Sequence, residues 1–155
     1  MTTNVQLVPV TDGTLTDLLP FVAAYHDFED IDHAAGSIDT ENVLRPLLGD
    51  SAHGTVWFIN QDGQNVGYIA ICYSYSIEFG GKTAMIDEFF VVPAARGQGL
   101  GKRVLGLLEP HLIHQDIKVL FLEVSPSNTR ARNLYQQAGF EAYNKYLGMA
   151  KHLQP

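Results

Sequence analysis

A glycine-rich turn at positions 96–102 is the segment of this sequence with the clearest chemical potential. It consists of Arg96, Gly97, Gln98, Gly99, Leu100, Gly101 and Lys102, and it separates an apolar run from an amphipathic one. Glycine lets a backbone turn tightly and bring its N–H groups close to a ligand, with no Cβ in the way. At the start of a helix, such N–H groups and the helix dipole form a site for an anion. The segment therefore predicts a phosphate-binding loop.

Two adjacent carboxylates interrupt the apolar run that precedes this loop. Asp87 and Glu88 stand between Ile86 and Phe89. Carboxylates are rarely buried without a partner or a purpose, and a positioned carboxylate can act as a general base. Neighbours on a strand point to opposite faces, so only one of the two is expected to face a cleft unless a β-bulge changes the alternation. Either residue is a candidate base, and a salt bridge or strand-end hydrogen bond accounts for the other.

Three phosphate ligands compete for the glycine loop. A magnesium-binding P-loop needs Ser or Thr after its Gly-Lys pair, whereas Arg103 follows Lys102 here. A dinucleotide site needs Gly-x-Gly-x-x-Gly at the start of a β-α-β unit. The glycines of this chain are Gly97, Gly99 and Gly101, one residue too tight at the end, and two predicted hairpins precede them. Both patterns fit poorly. The third candidate is acyl-coenzyme A.

The third pattern is Arg/Gln-x-x-Gly-x-Gly/Ala, which Arg96, Gly99 and Gly101 match. It resembles the pyrophosphate loop of the GNAT superfamily of acyl-CoA-dependent N-acetyltransferases. Residues 86–93 are similar to that family's fourth strand, which ends in Val-x-Pro. Residues 128–140 resemble the family's Asn-x-x-Ala-x-x-Leu-Tyr-x-x-x-Gly-Phe stretch. The resemblance covers most of the chain after position 54, and the first 50 residues in outline.

The resemblance implies acetyl-CoA as the co-substrate. In the family, a tyrosine beside the acyl-CoA sulfur stands at the position of Tyr135. A phenol with a pKa of about 10 stays protonated at neutral pH and can donate a proton to the leaving thiolate; the alternative is that Tyr135 only packs against the pantetheine arm. The implied acetyl-CoA contacts are the main chain of Phe90, Val91 and Val92, the loop residues Arg96, Gly97, Gln98, Gly99, Leu100, Gly101 and Lys102, and the side chains of Asn128 and Tyr135.

The expected acceptor is the primary amine of a small molecule. Positions 86–91 are similar to the Leu-Glu-Asp-Phe-Phe-Val strand of diamine and polyamine acetyltransferases, with the two acids swapped. Asp27, Glu29, Asp30 and Asp32 fall in the region that shapes the acceptor site in the superfamily, although a solvated loop is the simpler explanation for a charge run. A polyamine or an amino acid is therefore the predicted acceptor. Two alternatives remain: a protein lysine or N-terminal amine, and a module that binds acyl-CoA without turnover.

The elements that position these residues follow from the apolar pattern. The predicted order is β-α-α-β-β-β-α-β-α-β, with antiparallel hairpins first and a β-α-β crossover after them. This order predicts an α/β (α+β) mixed sheet with helices on both faces, which is also the GNAT-like fold that the resemblance implies. Pro46 is expected to weaken the second helix, and Pro110 to kink or end the third. The last strand is predicted from Phe140 to about Leu153.

Composition limits the remaining function classes. The 155 residues, 46% hydrophobic and 17% charged, predict a single domain spanning 1–155. A net charge of −7 disfavours nucleic acid, and no apolar run reaches the roughly 20 residues of a membrane span. Cys72 is the only cysteine, which together with the lack of a signal peptide favours a reducing, cytoplasmic location. His26 and His33 lack a third ligand at metal spacing, so no metal is expected. Homodimers are common in the resembled family.

Overall fold

The computed structural model describes residues 2–31 and 38–153, and these contain five strands and four α-helices. In chain order the elements are β1 (Val5–Pro9), α1 (Leu15–Phe28), α2 (Thr40–Leu44), β2 (Gly54–Gln61), β3 (Gln64–Ser76), β4 (Gly81–Val91), α3 (Leu100–His114), β5 (Val119–Leu122) and α4 (Thr129–Gln137). Single 3-10 turns follow α2 at Arg45–Leu47 and follow β4 at Pro93–Ala95. The predicted mixed α/β fold is confirmed.

The sheet has the strand order β1-β2-β3-β4-β5. The first four strands pair antiparallel with their neighbours, and β5 joins β4 in parallel after the crossover through α3. Hairpins followed by one β-α-β unit are therefore present as predicted. The central strand β3 is fully covered over its middle, where Tyr68, Ile69, Ala70 and Ile71 are each at most 2% exposed.

Helices cover both faces of the sheet. On one face, residues of α1 and α2 form a single cluster with β2, β3 and β4; its members are Val10, Leu15, Leu18, Val22, Leu44, Val56, Phe58, Tyr68, Ala70 and Phe90. Residues that alternate with these along the strands point to the opposite face. There Trp57 of β2 meets His111 of α3 edge-on, with ring centroids 4.9 Å apart. The sheet is thus the middle layer of the fold.

The described residues fall into two compact units, one ending at Glu123 and one beginning at Val124. The first unit holds the whole sheet with α1, α2 and α3. The second holds α4 and the residues after it. That the chain behaves as one domain stays a prediction.

Pro46 and Pro110 differ in their effect on the neighbouring helix: α2 ends before Pro46, whereas α3 continues past Pro110. Pro46 lies in the 3-10 turn that follows α2, as expected for a residue that lacks the N–H of a continuing helix. Pro110 lies inside α3, which continues to His114. Of the two predicted effects, an end of the helix at Pro110 is therefore wrong, and a kink stays a prediction. The buried Leu112 holds the last turn against the core, and this burial offsets the hydrogen bond that Pro110 cannot make.

The predicted last strand is wrong: residues 140–153 contain no β-strand. A strand needs a neighbouring ladder to satisfy its backbone. Gly148 also interrupts the apolar positions of this segment, and a glycine weakens a strand interior. Among the described residues, no helix is long and apolar enough to cross a membrane.

Candidate active site

A β-bulge in β4 places the two carboxylates. Ala70 of β3 lies opposite Glu88, but the next residue of β3, Ile71, lies opposite Ile86. Asp87 is therefore the extra residue of the bulge, and the strict alternation of faces breaks at this point. Because Glu88 pairs with Ala70, its side chain shares the face that α1 covers. The adjacent acids Asp87 and Glu88 fit either a regular or a bulged strand, and the bulged form is the one observed.

Both carboxylate oxygens of Glu88 are engaged by side chains from other elements. His26 Nε2 on α1 lies 2.5 Å from Glu88 Oε2, and the Tyr68 hydroxyl on β3 donates to Glu88 Oε1 at 3.0 Å. The side chain of Glu88 is 15% exposed, and that of His26 is 21% exposed. The carboxylate is thus held in one orientation at the edge of the core.

Burial governs the protonation of the groups around Glu88. Desolvation raises the pKa of the Tyr68 phenol far above its ordinary value, and the negative charge of Glu88 raises it further. Tyr68 therefore stays a neutral donor. Asp87 keeps more solvent contact than Glu88, yet the surrounding protein still withdraws enough water to raise the pKa of its carboxyl. His26 counteracts that rise, and Glu123 adds to it.

The end of β4 has a main-chain edge that β5 does not cover. The pairing of β4 with β5 ends at Ile86, whereas its pairing with β3 continues to Val91. Val92 donates its N–H to the Val66 carbonyl at 2.8 Å, and main-chain groups alternate in direction along a strand. The main-chain groups of Val91 and Phe89 therefore point away from β3, toward the side where β5 has ended. An extended ligand with amide groups matches such an edge.

The glycine loop connects this edge to the first turn of α3. Gly97 and Gly99 adopt φ values of +81° and +71°, which a residue with a Cβ adopts only at a cost. Gly99 is the N-cap of α3, and the first turn of that helix contains no acidic residue. The main-chain N–H groups of the first turn and the positive end of the helix dipole are thus unopposed by a carboxylate. This arrangement fits the pyrophosphate of a coenzyme.

The side chain of Arg96 is directed back to the sheet. Its Nε donates to the Val91 carbonyl at 2.8 Å, and its guanidinium carbon lies 4.9 Å from the ring centre of Phe28 and 5.5 Å from that of Phe90. These contacts join the end of α1 to the end of β4. The guanidinium of Arg96 is thus engaged by the sheet and by α1, and the main chain of Arg96 is the part that continues into the glycine loop.

The second unit contains the two predicted site residues that precede or lie on α4. Asn128 is the N-cap of α4, and its Oδ1 accepts from the Ala131 N–H at 3.1 Å. The Tyr135 ring packs edge-on against Phe140, with centroids 5.6 Å apart. Phe140 also donates its N–H to the Tyr135 carbonyl at 2.9 Å, across Gly139 at φ +93°. Gly139 thus follows the end of α4 with a positive φ, which glycine adopts readily.

The sequence did not predict the two side chains that contact Glu88, those of His26 and Tyr68. His26 follows Val22 by one helical turn, so a polar residue on the buried face of α1 was the available signal. Tyr68 lies on the same face of β3 as Ala70, two residues away. The prediction of a carboxylate with a partner was correct, but the partners lie on other elements. Asp32 and His33 lie outside the described residues.

Within the part of the chain that the structure describes, no three His, Cys, Asp or Glu side chains are grouped so as to hold a metal ion. His26 instead contacts Glu88, as described above. The acidic residues Asp27, Glu29 and Asp30, at and just after the end of α1, are exposed.

Three curated proteins are similar in sequence. An N-acetyltransferase of Archaeoglobus fulgidus, described as uncharacterized, is 31% identical over 116 residues, covering 74% of this chain and 78% of its own. The uncharacterized N-acetyltransferase YhfO of Bacillus subtilis is 26% identical over 132 residues, covering 85% and 89%. The spermine/spermidine N(1)-acetyltransferase of Bacillus subtilis is 37% identical over 57 residues, which are 36% of this chain and 38% of that protein.

Solved structures show the same architecture. An integron cassette protein from a salt-marsh metagenome is 26% identical with a TM-score of 0.78, covering 97% of this chain and 91% of its own. The aminoglycoside acetyltransferase AAC(6')-Iy, bound to a bisubstrate analogue of coenzyme A and neamine, has a TM-score of 0.76 at 14% identity, covering 99% and 100%; at that identity the likeness concerns the fold. A family model for acetyltransferases of the GNAT type matches residues 21–140. Since that match takes in most of the chain, including β4, the glycine loop and α4, the chain belongs to the acetyltransferase (GNAT) family.

Proposed function

We propose that this acetyltransferase transfers an acetyl group from acetyl-CoA to the primary amine of a small molecule such as a polyamine or an amino acid. The observation that carries the proposal is the placement of Glu88. Its carboxylate is set by the bulge on the α1 face, close to the point where β4 leaves β5 and upstream of the glycine loop. A base in that position serves an amine that approaches a donor held along β4.

The donor end of the proposal rests on the main chain. Acetyl-CoA supplies the acetyl group through its thioester. The contacts to the amides of the pantetheine arm were predicted at Phe90, Val91 and Val92. Of these, Phe90 and Val92 direct their main-chain groups to β3, and the Val91 carbonyl accepts from Arg96. We therefore place the pairing on the uncovered edge, at Phe89 and at the N–H of Val91. The N–H groups from Gly97 to Lys102 hold the pyrophosphate. Asn128 is the proposed contact to the pantetheine amide region, and Arg96 fixes the end of β4 through Val91.

The chemistry needs one group that removes a proton and one that supplies a proton. An ammonium must lose a proton before its nitrogen can attack a thioester carbonyl, and we assign that step to Glu88. The C–N bond forms as the C–S bond breaks, and Tyr135 is the proposed proton donor to the leaving thiolate. The second proton, which the nitrogen loses as it becomes an amide, restores the phenol of Tyr135. Asp87, which is more open to solvent, contributes negative charge that attracts the ammonium.

The acceptor class is supported by charge. Exposed carboxylates of Asp27, Glu29 and Asp30 surround the end of α1, one turn from His26 and its partner Glu88. Negative charge at such an entrance raises the local concentration of a cationic amine. The partial similarity to a spermine/spermidine N(1)-acetyltransferase favours polyamines within that class. The aminoglycoside acetyltransferases share the fold, and their substrates are cationic amines as well.

An amine panel with a thiol-release readout tests this function. Purified protein with acetyl-CoA is expected to release coenzyme A with spermidine, a diamine or an amino acid. Glu88→Gln keeps the size of the side chain but cannot accept the proton, and we expect kcat to fall by about 100-fold or more. Asp87→Asn is the matched control, since it removes the neighbouring carboxylate, and we expect it to raise KM for the amine more than it lowers kcat.

Other outcomes distinguish the alternatives. Release with lysine-containing or N-terminal peptides and with no small amine would replace the small-molecule acceptor by a protein. Calorimetric binding of acetyl-CoA without release across the whole panel would indicate a binding module. Equal kcat for Glu88→Gln and the wild type would remove Glu88 from the proton-transfer step.

A further inference from the structure

His26 is the partner of Glu88 that comes from a helix, whereas Tyr68 comes from the neighbouring strand β3. It lies on α1, 62 residues from Glu88 in sequence, and its Nε2 approaches Glu88 Oε2 to 2.5 Å. The two atoms are within hydrogen-bonding distance, and which of them carries the shared proton depends on the tautomer of His26 and the protonation of Glu88. The contact joins an imidazole to the proposed base.

A carboxylate that accepts a proton in each turnover must also release it. Tyr68 cannot take that proton, because its phenol is buried and remains protonated. The side chain of His26 is 21% exposed against 15% for Glu88, so His26 has the greater contact with solvent. Of the two partners of Glu88, only His26 combines a nitrogen that can accept a proton with access to water.

Other titratable groups frame this contact. Burial raises the pKa of the Asp87 carboxyl on β4, and His26 lies close enough to counteract part of that rise. The Tyr25 ring on α1 lies 5.8 Å from the His26 ring, and 6.3 Å from the Tyr68 ring. Two carboxylates of β4, those of Glu88 and Asp87, therefore lie near His26. Opposite charges at short distance attract, so both carboxylates, when ionised, attract an imidazolium formed in passing.

We propose that His26 relays the proton of the acceptor amine from Glu88 to solvent. The N–H bond of the ammonium breaks as an O–H bond forms on Glu88. The O–H bond of Glu88 then breaks as that proton passes to the unprotonated Nε2 of the Nδ1–H tautomer of His26, and the resulting imidazolium loses one proton to water. His26 acts through Glu88 and is a positioning and relay residue. The inference rests on the proposed function, in which Glu88 is the base.

Two substitutions separate proton relay from simple hydrogen bonding. His26→Gln keeps an N–H donor for Glu88 but cannot relay a proton, and we expect kcat to fall by about 100-fold with KM for acetyl-CoA unchanged. His26→Ala leaves space for a small base, and added imidazole is expected to restore part of its kcat. His114→Gln, on the exposed end of α3, is the matched control. It should keep the kcat of the wild type, and added imidazole should not change that kcat. Wild-type kcat in His26→Gln, or no response of His26→Ala to imidazole, would overturn the relay.

A measurement without turnover keeps this inference separate from the proposed function. In nitrogen-15 NMR spectra of the imidazole groups, the Nε2 signal of His26 is expected to change in Glu88→Gln, while that of His114 stays constant. An unchanged His26 signal would refute the contact whatever the activity. If wild-type protein acetylates no amine, the proposed function fails; if it does and His26→Gln is fully active, only the relay fails.

Discussion

Tyr68 is a buried residue whose hydroxyl donates to a carboxylate, and both features affect the stability of the protein. It is fully buried on β3, and its hydroxyl donates to Glu88 Oε1. A hydrogen bond to a charged group contributes about 1.5–3 kcal/mol to stability. The same bond holds the carboxylate in one orientation. Tyr68 is therefore expected to affect both the stability of the fold and the orientation of the proposed base Glu88.

Replacing Tyr68 by Phe tests this double role. The free energy of unfolding at neutral pH is expected to fall by about 1.5 kcal/mol or more, and kcat should fall because Glu88 loses its second anchor. The folded-state pKa of Tyr68 is raised, so its contribution is complete below the unfolded pKa of about 10 and is lost as pH rises above it. Urea unfolding of both proteins between neutral pH and pH 11 should show the difference shrink above that point.

Tyr75→Phe supplies the matched control for this measurement. Tyr75 lies on the same strand but is 74% exposed, so its replacement should leave the unfolding free energy near that of wild type. A gap between Tyr68→Phe and wild type that stays constant at every pH would contradict the buried, protonated phenol.

The elements show how far sequence patterns determine the site. The element order predicted from the apolar pattern includes all five strands of the sheet and a helix after the glycine loop, as observed. The bulge at Asp87 could not be predicted, because two adjacent acids fit either a regular or a bulged strand. The contact of His26 with Glu88 could not be predicted either, since it depends on how α1 crosses the sheet. The segment from Phe140 was predicted as a strand from composition, without a ladder partner to support it.

The glycine loop makes a prediction at the level of this element. Gly99 has a φ of +71°, and a Cβ there would meet nothing within 4 Å, so Gly99→Ala introduces backbone strain without a clash. We expect about 1 kcal/mol of destabilisation, together with a weaker affinity for acetyl-CoA because the N-cap turn shifts. Isothermal titration calorimetry and thermal unfolding measure the two effects.

Gly80 is the matched control for the loop. It has a φ of +76°, a Cβ there would also meet nothing within 4 Å, and it lies in the turn between β3 and β4. Gly80→Ala should cost a similar free energy of unfolding while leaving the affinity for acetyl-CoA unchanged. Equal losses of affinity in the two variants would mean that the loop has no specific part in binding.

At the scale of the whole molecule, the proposed contacts to acetyl-CoA are distributed over both compact units. The edge of β4 and the loop belong to the first unit, whereas Asn128 and Tyr135 belong to the second. Both groups of residues were predicted as acetyl-CoA contacts from their resemblance to GNAT motifs. A binding role for both sets has a measurable consequence, because a ligand protects the backbone of each segment that it contacts.

Acetyl-CoA is therefore expected to stabilise the whole chain and to protect segments in both units. At a free concentration of about 100 times Kd, the free energy of unfolding should rise by about 2.7 kcal/mol, which thermal unfolding can follow. Hydrogen exchange should slow at the first turn of α3 and at the first turn of α4. Pantetheine is the control ligand; without a pyrophosphate it should leave the exchange of α3 unchanged. If acetyl-CoA slowed exchange at α3 alone, Asn128 and Tyr135 would be removed from the proposed contacts, because their binding to the ligand is what is expected to protect α4.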